Sequence, residues 1–184
     1  MTSVCLVLGS AKCLWKDIEA FKALGTYDAV IAVKQAGVYW PGPLRAWVTL
    51  HPVQTEYHIK ERRAAGYPDA DEVVAHIKKG STCVDREFDY LWPGMPRSGA
   101  SGIAGAKYAI HDLGFDRAVL CGIPMVAQSR IDNGGHWTDE KTENYRNGVR
   151  PVVDDMKRFV RSMSGWTREV LGAPTAEWLA GRGD

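Results

Sequence analysis

The sequence lacks the commonest nucleotide-binding and catalytic signatures, and each absence removes a class. No GxGxxG occurs, and the second apolar run ends at Val33-Lys34, where a dinucleotide site wants an acid for the ribose hydroxyls. A dinucleotide dehydrogenase is therefore not expected. Without GxxxxGK[ST] the chain is not a P-loop NTPase, and without GxSxG it has no hydrolase nucleophile elbow. No HExxH and no paired Cys/His spacing points to zinc. The four cysteines, Cys5, Cys13, Cys83 and Cys121, include no CxxC pair. Cys5 and Cys121 lie inside apolar runs and read as buried thiols, which suits a reducing cytoplasm. An excess of one charge is missing too: 23 Lys+Arg face 22 Asp+Glu, a net +1, so no bulk field steers the chain to DNA or a membrane. No apolar stretch approaches the ~20 residues of a membrane span, and no basic segment precedes a long apolar run at the start. No repeat, low-complexity tract or linker divides the 184 residues, which predicts a single domain over 1–184.

What is present is an alternation of short apolar runs and helical patterns. Val4–Leu8, Asp28–Val33, Ala46–Leu50 and Arg117–Cys121 are apolar without alternation, as strands buried on both faces should be. Helical spacing appears at Lys16–Leu24, then at Ile103, Ala106, Ile110 and Leu113, and over Asp139–Phe159. Residues 55 to 79 read as one or two helices broken near Gly66-Tyr67-Pro68, the second opening on Asp69, Asp71 and Glu72 and closing on Lys78-Lys79 in the order a helix dipole favours. Thr82–Phe88 and Phe159–Met163 suit short strands, and Gln128–Trp137 a polar loop. This order predicts an α/β fold, a Rossmann-like three-layer sandwich with a mostly parallel central sheet. In such sheets ligands bind beyond the carboxyl ends of the strands. Gly9-Ser10, Lys34-Gln35, His51 and the loop after Cys121 should gather there.

The most telling stretch is Arg97–Met125, RSGASGIAGAKYAIHDLGFDRAVLCGIPM: a Ser/Gly loop, a helix, then a strand ending in Gly-Ile-Pro. Free N–H groups and the positive dipole end at such a helix start suit an anion. VCLVLGSAK repeats the logic at the start of the chain. Lys12, Lys34, Arg97 and Arg130 are cations beside these loops. Asp69-Ala70-Asp71 has the DxD spacing of metal-dependent glycosyltransferases, but Asp is also the expected cap of a helix opening there, so no metal site is expected. His58, His76 and His111 fall on predicted helices and read as surface residues, and Asp154-Asp155 as a solvated face.

The segment SGASGIAGAKYAIHDLGFDRAVLCGIPM resembles the SG…A…A…LG…G.D segment of sialyltransferase family 42 and of related DUF115-like Rossmannoid glycosyltransferases. VLGSAK stands where that superfamily has a Gly-x-Gly-Pro-Ser loop, and IAVKQA where it has a strand ending in a polar residue. WVTLHP and the tail SMSGWTREVLGAPTAEWL resemble uncharacterised phage proteins, which would place the chain in a host cytoplasm. The resemblance implies a metal-independent glycosyltransferase-like protein with a nucleotide sugar as ligand and no cofactor. Carried over, Gly9, Ser10, Gln35, Ser98, Gly99 and Ser101 would face the nucleotide, and His136 would be the general base. The chain departs from the pattern in Ser-Ala-Lys for Gly-Pro-Ser and in Pro124 where the resembled enzymes have an acid.

The candidate set is thus His136 and His51 for catalysis, and Gly9, Ser10, Lys34, Gln35, Arg97, Ser98, Gly99, Ser101, Gly122 and Trp137 for ligand binding. An imidazole titrates near neutrality and suits a base, and Trp137 could close over the ligand after the Asn133-Gly134-Gly135 segment. Two other readings stay open: an SLOG-like protein that binds or hydrolyses a nucleotide-derived signal, and a non-catalytic nucleotide-binding protein. The expected partner is a nucleotide-derived small molecule. A nucleic-acid acceptor, such as a modified base in phage DNA, has no support from net charge, and seven tryptophans leave room for a homodimer.

Overall fold

A computed structural model describes residues 2–78, 80–97 and 100–182. In chain order its elements are β1 (Val4–Leu8), α1 (Leu14–Lys22), β2 (Ala29–Val33), α2 (Ala36–Tyr39), β3 (Ala46–Thr49), α3 (Pro52–Ala64), β4 (Val73–Ala75) and β5 (Arg86–Glu87). Then come α4 (Ser101–Lys107), which runs on into a π turn over Tyr108–Asp112, β6 (Arg117–Cys121), β7 (Gln128–Ser129) and β8 (His136–Trp137). The chain continues through α5 (Asp139–Val149), a 3-10 turn, α6 (Val153–Met156), β9 (Val160–Ser162), α7 (Gly165–Leu171) and α8 (Ala176–Leu179).

Seven strands form one sheet in the order β5-β4-β3-β2-β1-β6-β9, every pair parallel, and β7 with β8 makes a small antiparallel hairpin. The expected Rossmann-like three-layer α/β sandwich is the fold observed. Successive side chains of a strand point to opposite faces, and β1 divides accordingly. Cys5 and Val7 pack with α4, while Val4, Leu6 and Leu8 pack with Leu14, Ile18 and Phe21 of α1. The chain first builds outward from β1 to β5, then crosses back to add β6 and β9 on the other side. The switch point, where a parallel sheet opens a crevice at its carboxyl edge, therefore lies between β1 and β6.

The second helix expected within 55–79 is not observed. After α3 the chain turns at Gly66 (φ 77°) and forms β4, because Val73 and Val74 add to the edge of β3 through Trp47↔Val73 and Val48↔Val74. Val73 and Val74 are buried there between β3 and β5, where β-branched residues favour a strand over a helix. Asp69 is not a helix cap: its carboxylate takes a bidentate pair from Arg63 at 2.8 Å. His76 consequently follows a strand, and its ring meets Tyr90 edge-on. His58 does lie on α3 but is buried rather than on the surface, whereas His111 is exposed as expected, with its ring edge-on to Trp92. Asp155 is not purely solvated, since it accepts the Trp92 indole N–H at 2.8 Å.

A fully buried arginine, Arg62 of α3, holds α2 and its following loop in place. Its guanidinium donates to the carbonyls of Gly37, Trp40, Gly42 and Pro68. Each buried carbonyl is satisfied, and the segment that begins at Lys34-Gln35 is fixed to the body of the protein.

Candidate functional site

The site is built where β1 and β6 end side by side. The Gly9 N–H donates to Cys121 at 2.8 Å and the Ala11 N–H to Gly122 at 3.2 Å, so the two exit loops are stitched backbone to backbone. No side chain fits between them. A Cβ on Gly9 would lie 2.4 Å from the Gly122 carbonyl, and one on Gly122, whose φ is 69°, would lie 2.5 Å from the Gly9 carbonyl. Buried Asp17 of α1 ties in a third segment, accepting the Gly122 N–H at 2.8 Å and the Ser164 hydroxyl at 2.7 Å. Cys13 Sγ sits 3.4 Å from the same hydroxyl, and burial pushes its thiol up to about 11, so it stays protonated.

Above this crossing lies a cleft of about 550 Å³ including its open mouth. Six expected residues line it: Gly9, Ser10, Lys34, Ser101, Gly122 and Trp137. Gly102, Ile123, Pro124 and Met125 give it an apolar floor. Ser101 Oγ is buried with no hydrogen-bond partner among the described residues. Lys34 is held in the left-handed region (φ 50°), an arrangement that costs about 1–2 kcal/mol for a residue with a side chain. Its carbonyl is pinned by the Trp47 indole N–H at 2.8 Å. Met125 (φ 47°) is strained in the same way on the same cleft. Strain that surrounding structure imposes tends to collect at functional sites. Lys34 has no ion pair among the described residues. Burial first, then the charges of Lys141 and Arg130, bring its amine down to about 8.

A second, more polar cleft adjoins the first and shares Ser10, Lys34 and Trp137 with it. Gln35, Gln54, Tyr57, His58, Arg130, His136 and Lys141 complete its wall. Gln35 here acts as a clamp. Its amide donates to Asp132 at 2.6 Å while its carbonyl accepts from Arg130, which also reaches Asp132 at 2.9 Å. With Ile131 N–H to Ser10 at 2.9 Å and a bridge between Ala11 and Arg130, this network seats the β7–β8 hairpin over the β1 loop. The segment expected as a plain polar loop is therefore an anchored hairpin.

The remaining candidates fall unevenly. His136 lies on β8, exposed, and lines the second cleft rather than the first. His51 follows β3 at the same sheet edge as the N-cap of α3, lines neither cleft, and is pushed below the ordinary imidazole range by burial and by the charges of Lys34, His76 and Lys141. Arg97 is exposed and lines neither cleft among the described residues. Ser98 and Gly99 lie outside the described residues. Sequence reasoning missed Thr142 and Tyr145, which descend from one face of α5 onto the first cleft. Their i, i+3 spacing was the available signal. Burial raises the Tyr145 phenol above its ordinary value.

The fold and its switch-point cleft define a Rossmann-like α/β protein with an open crevice at the carboxyl edge of the sheet. No family model and no curated protein matches the chain. Solved structures do match: a variant of sialyltransferase CstII in complex with CMP is 12% identical, with a TM-score of 0.64 over 95% of this chain and 87% of that one. CstII from Campylobacter jejuni in complex with CMP-3FNeuAc is 13% identical, with a TM-score of 0.64 over 96% and 88%. CstII with a trisaccharide acceptor and CMP is 13% identical, with a TM-score of 0.59 over 95% and 87%. The chain thus shares the sialyltransferase-like fold along nearly its whole length.

Proposed function

We propose that this protein is a metal-independent, glycosyltransferase-like protein that binds a nucleotide sugar in the first cleft, at the carboxyl edge of the sheet. One observation carries the reading: a part-buried lysine without an ion pair among the described residues, Lys34, lines the same cleft as the Gly9–Gly122 crossing at the switch point. An anionic phosphate is the partner that such a cation lacks. The orphan Ser101 hydroxyl and Ser10 are donors for the same group. The likeness to CstII, whose structures hold CMP and CMP-3FNeuAc, supports a cytidine nucleotide.

In transfer, the acceptor oxygen would bond to the anomeric carbon while the bond from that carbon to the phosphate breaks. The phosphate leaves with the electron pair, and a histidine takes the acceptor proton. His136 is the base at the second cleft, where the acceptor would enter. His51, at the sheet edge outside both clefts and pushed below the ordinary imidazole range by burial and nearby cations, is the other candidate. Lys34 steadies the charge that develops on the leaving phosphate, the role a bound cation has in other transferases. Gly9, Gly122, Ser101 and Trp137 shape the donor cleft. Gln35 supports the site indirectly by seating the hairpin.

A second reading, nucleotide binding without turnover, draws on Pro124, which lines the cleft where the resembled enzymes have an acid. Release of CMP from a CMP-sugar separates the two readings. Wild-type turnover with His136→Ala reduced 100-fold or more, on the order of general-base catalysis, and with unchanged CMP affinity, supports the transferase. Binding without release by the wild type supports the non-catalytic reading, and unchanged turnover in His136→Ala removes His136 as the base.

A further inference from the structure

The second cleft carries positive charge that donor binding uses only in part, through the shared Lys34. Lys34 and Lys141 line it, and neither has an ion pair among the described residues. Arg130 also lines it, but Asp132 balances that charge at 2.9 Å. No carboxylate lines the cleft among the described residues. Glu61, the other acid whose charge acts there, takes the Tyr57 hydroxyl. Two buried nitrogen atoms on this wall, His58 Nδ1 and Arg130 Nε, find no hydrogen-bond partner among the described residues, although His58 is 8% exposed. Buried polar atoms in native proteins are nearly always satisfied, so orphans grouped on one wall point to something that binds there. Tyr57 and Trp137 add aromatic faces at the rim, the surface a sugar ring packs on.

We propose that the second cleft is an anion subsite that selects an acceptor carrying a phosphomonoester group. Lys141, together with the Lys34 that both clefts share, matches a dianion better than a single carboxylate. The subsite's role as acceptor site rests on the transferase reading; its existence does not. Lys141 lines the second cleft and not the first, whereas Lys34 lines both, so Lys141 is the residue that separates the sites.

Calorimetric titration of glucose 6-phosphate, with glucose, glucuronate and inorganic phosphate as comparators, into the free and the CMP-saturated protein tests this. The expected result is saturable binding of glucose 6-phosphate with CMP in place, no binding of glucose, and weaker binding of glucuronate. Inorganic phosphate bound as tightly as glucose 6-phosphate would mean that the sugar is not recognised and would overturn the acceptor assignment. Lys141→Ala should weaken the phosphosugar at least tenfold, roughly the loss of one charge-assisted contact. Lys157→Ala, at the opposite sheet edge, should change nothing. Displacement of glucose 6-phosphate by CMP, equal binding of glucuronate, or an unaltered Lys141→Ala would each overturn the proposal. If CMP itself does not bind, the transferase reading fails, and the free-protein titration with Lys141→Ala still decides the subsite.

Discussion

The two clefts share three residues but are made by opposite means. The first is backbone against backbone: Gly9 and Gly122 leave no room for a Cβ, and Asp17 locks the crossing from beneath. The second is side chain against side chain, a hairpin seated by the Gln35–Arg130–Asp132 network. A wall of rigid strand ends fixes position to fractions of an ångström, as a held leaving group requires. A wall of long polar side chains on a hairpin can adapt and can exchange one ligand for another. On the proposed reading, the invariant half of the reaction belongs to the first cleft and the variable half to the second.

The sharpest way to break the contrast is to place the same methyl group in each wall. Gly122→Ala meets both a positive φ and the Gly9 carbonyl, so it should cost about 2–4 kcal/mol by urea denaturation and abolish CMP binding. Gly135→Ala in the hairpin meets only the flexible Arg130 side chain at 3.2 Å and should cost less than about 1 kcal/mol. Equal costs would show that the two walls are not built differently.

Next in size is Lys34, which faces both clefts. Lys34→Met should lower CMP affinity by about 30–100-fold, the value of a charged hydrogen bond in a part-buried site. Because the amine sits at about 8, wild-type CMP affinity should fall as pH rises through 8, whereas the variant should be flat there. Stability should move the other way. The unfolded lysine holds its proton up to its ordinary 10.5, so the unfolded state binds more protons between about 8 and 10.5 and wild-type stability rises with pH across that window. Lys34→Met removes that slope, which denaturation at pH 7.5 and 10 would detect.

The smallest expected effect on binding comes from the hairpin clamp. Arg130→Ala removes the partner of both Gln35 and Asp132 and should speed proteolysis within 130–135 several-fold while changing CMP affinity less than about threefold. A large loss of CMP affinity would mean that the hairpin, through Trp137, carries much of the donor binding.

Much of this architecture is legible in the residues, for reasons that differ by element. β1, β2 and β6 are apolar on both faces, and only a covered parallel strand needs that, so they were readable almost to the residue. β4 was not. Its Asp-Asp-Glu lead and lysine close copy the charge order of a helix, and Val73-Val74 form a strand only because the edge of β3 is there to pair with. Gly9, Ser10, Lys34 and Gly122 were readable because they follow strands. Thr142, Tyr145 and His58 were hidden on polar helices, α5 and α3, whose inward faces carry too little apolar pattern to reveal which side meets a cleft. Gln35 was legible as a residue at the site but not as a clamp, because its partners lie almost a hundred residues away in the hairpin.

A thermal-shift series with CMP, CDP, UDP, GDP and ADP-ribose on the intact protein tests the central claim most directly. Ligand that binds only the folded state at one hundred times its dissociation constant stabilises it by about 2.7 kcal/mol, which is several degrees for a chain of this size. The account predicts a shift with CMP, CDP or UDP that Lys34→Met erases. A shift with ADP-ribose alone, or none with any nucleotide, would contradict it.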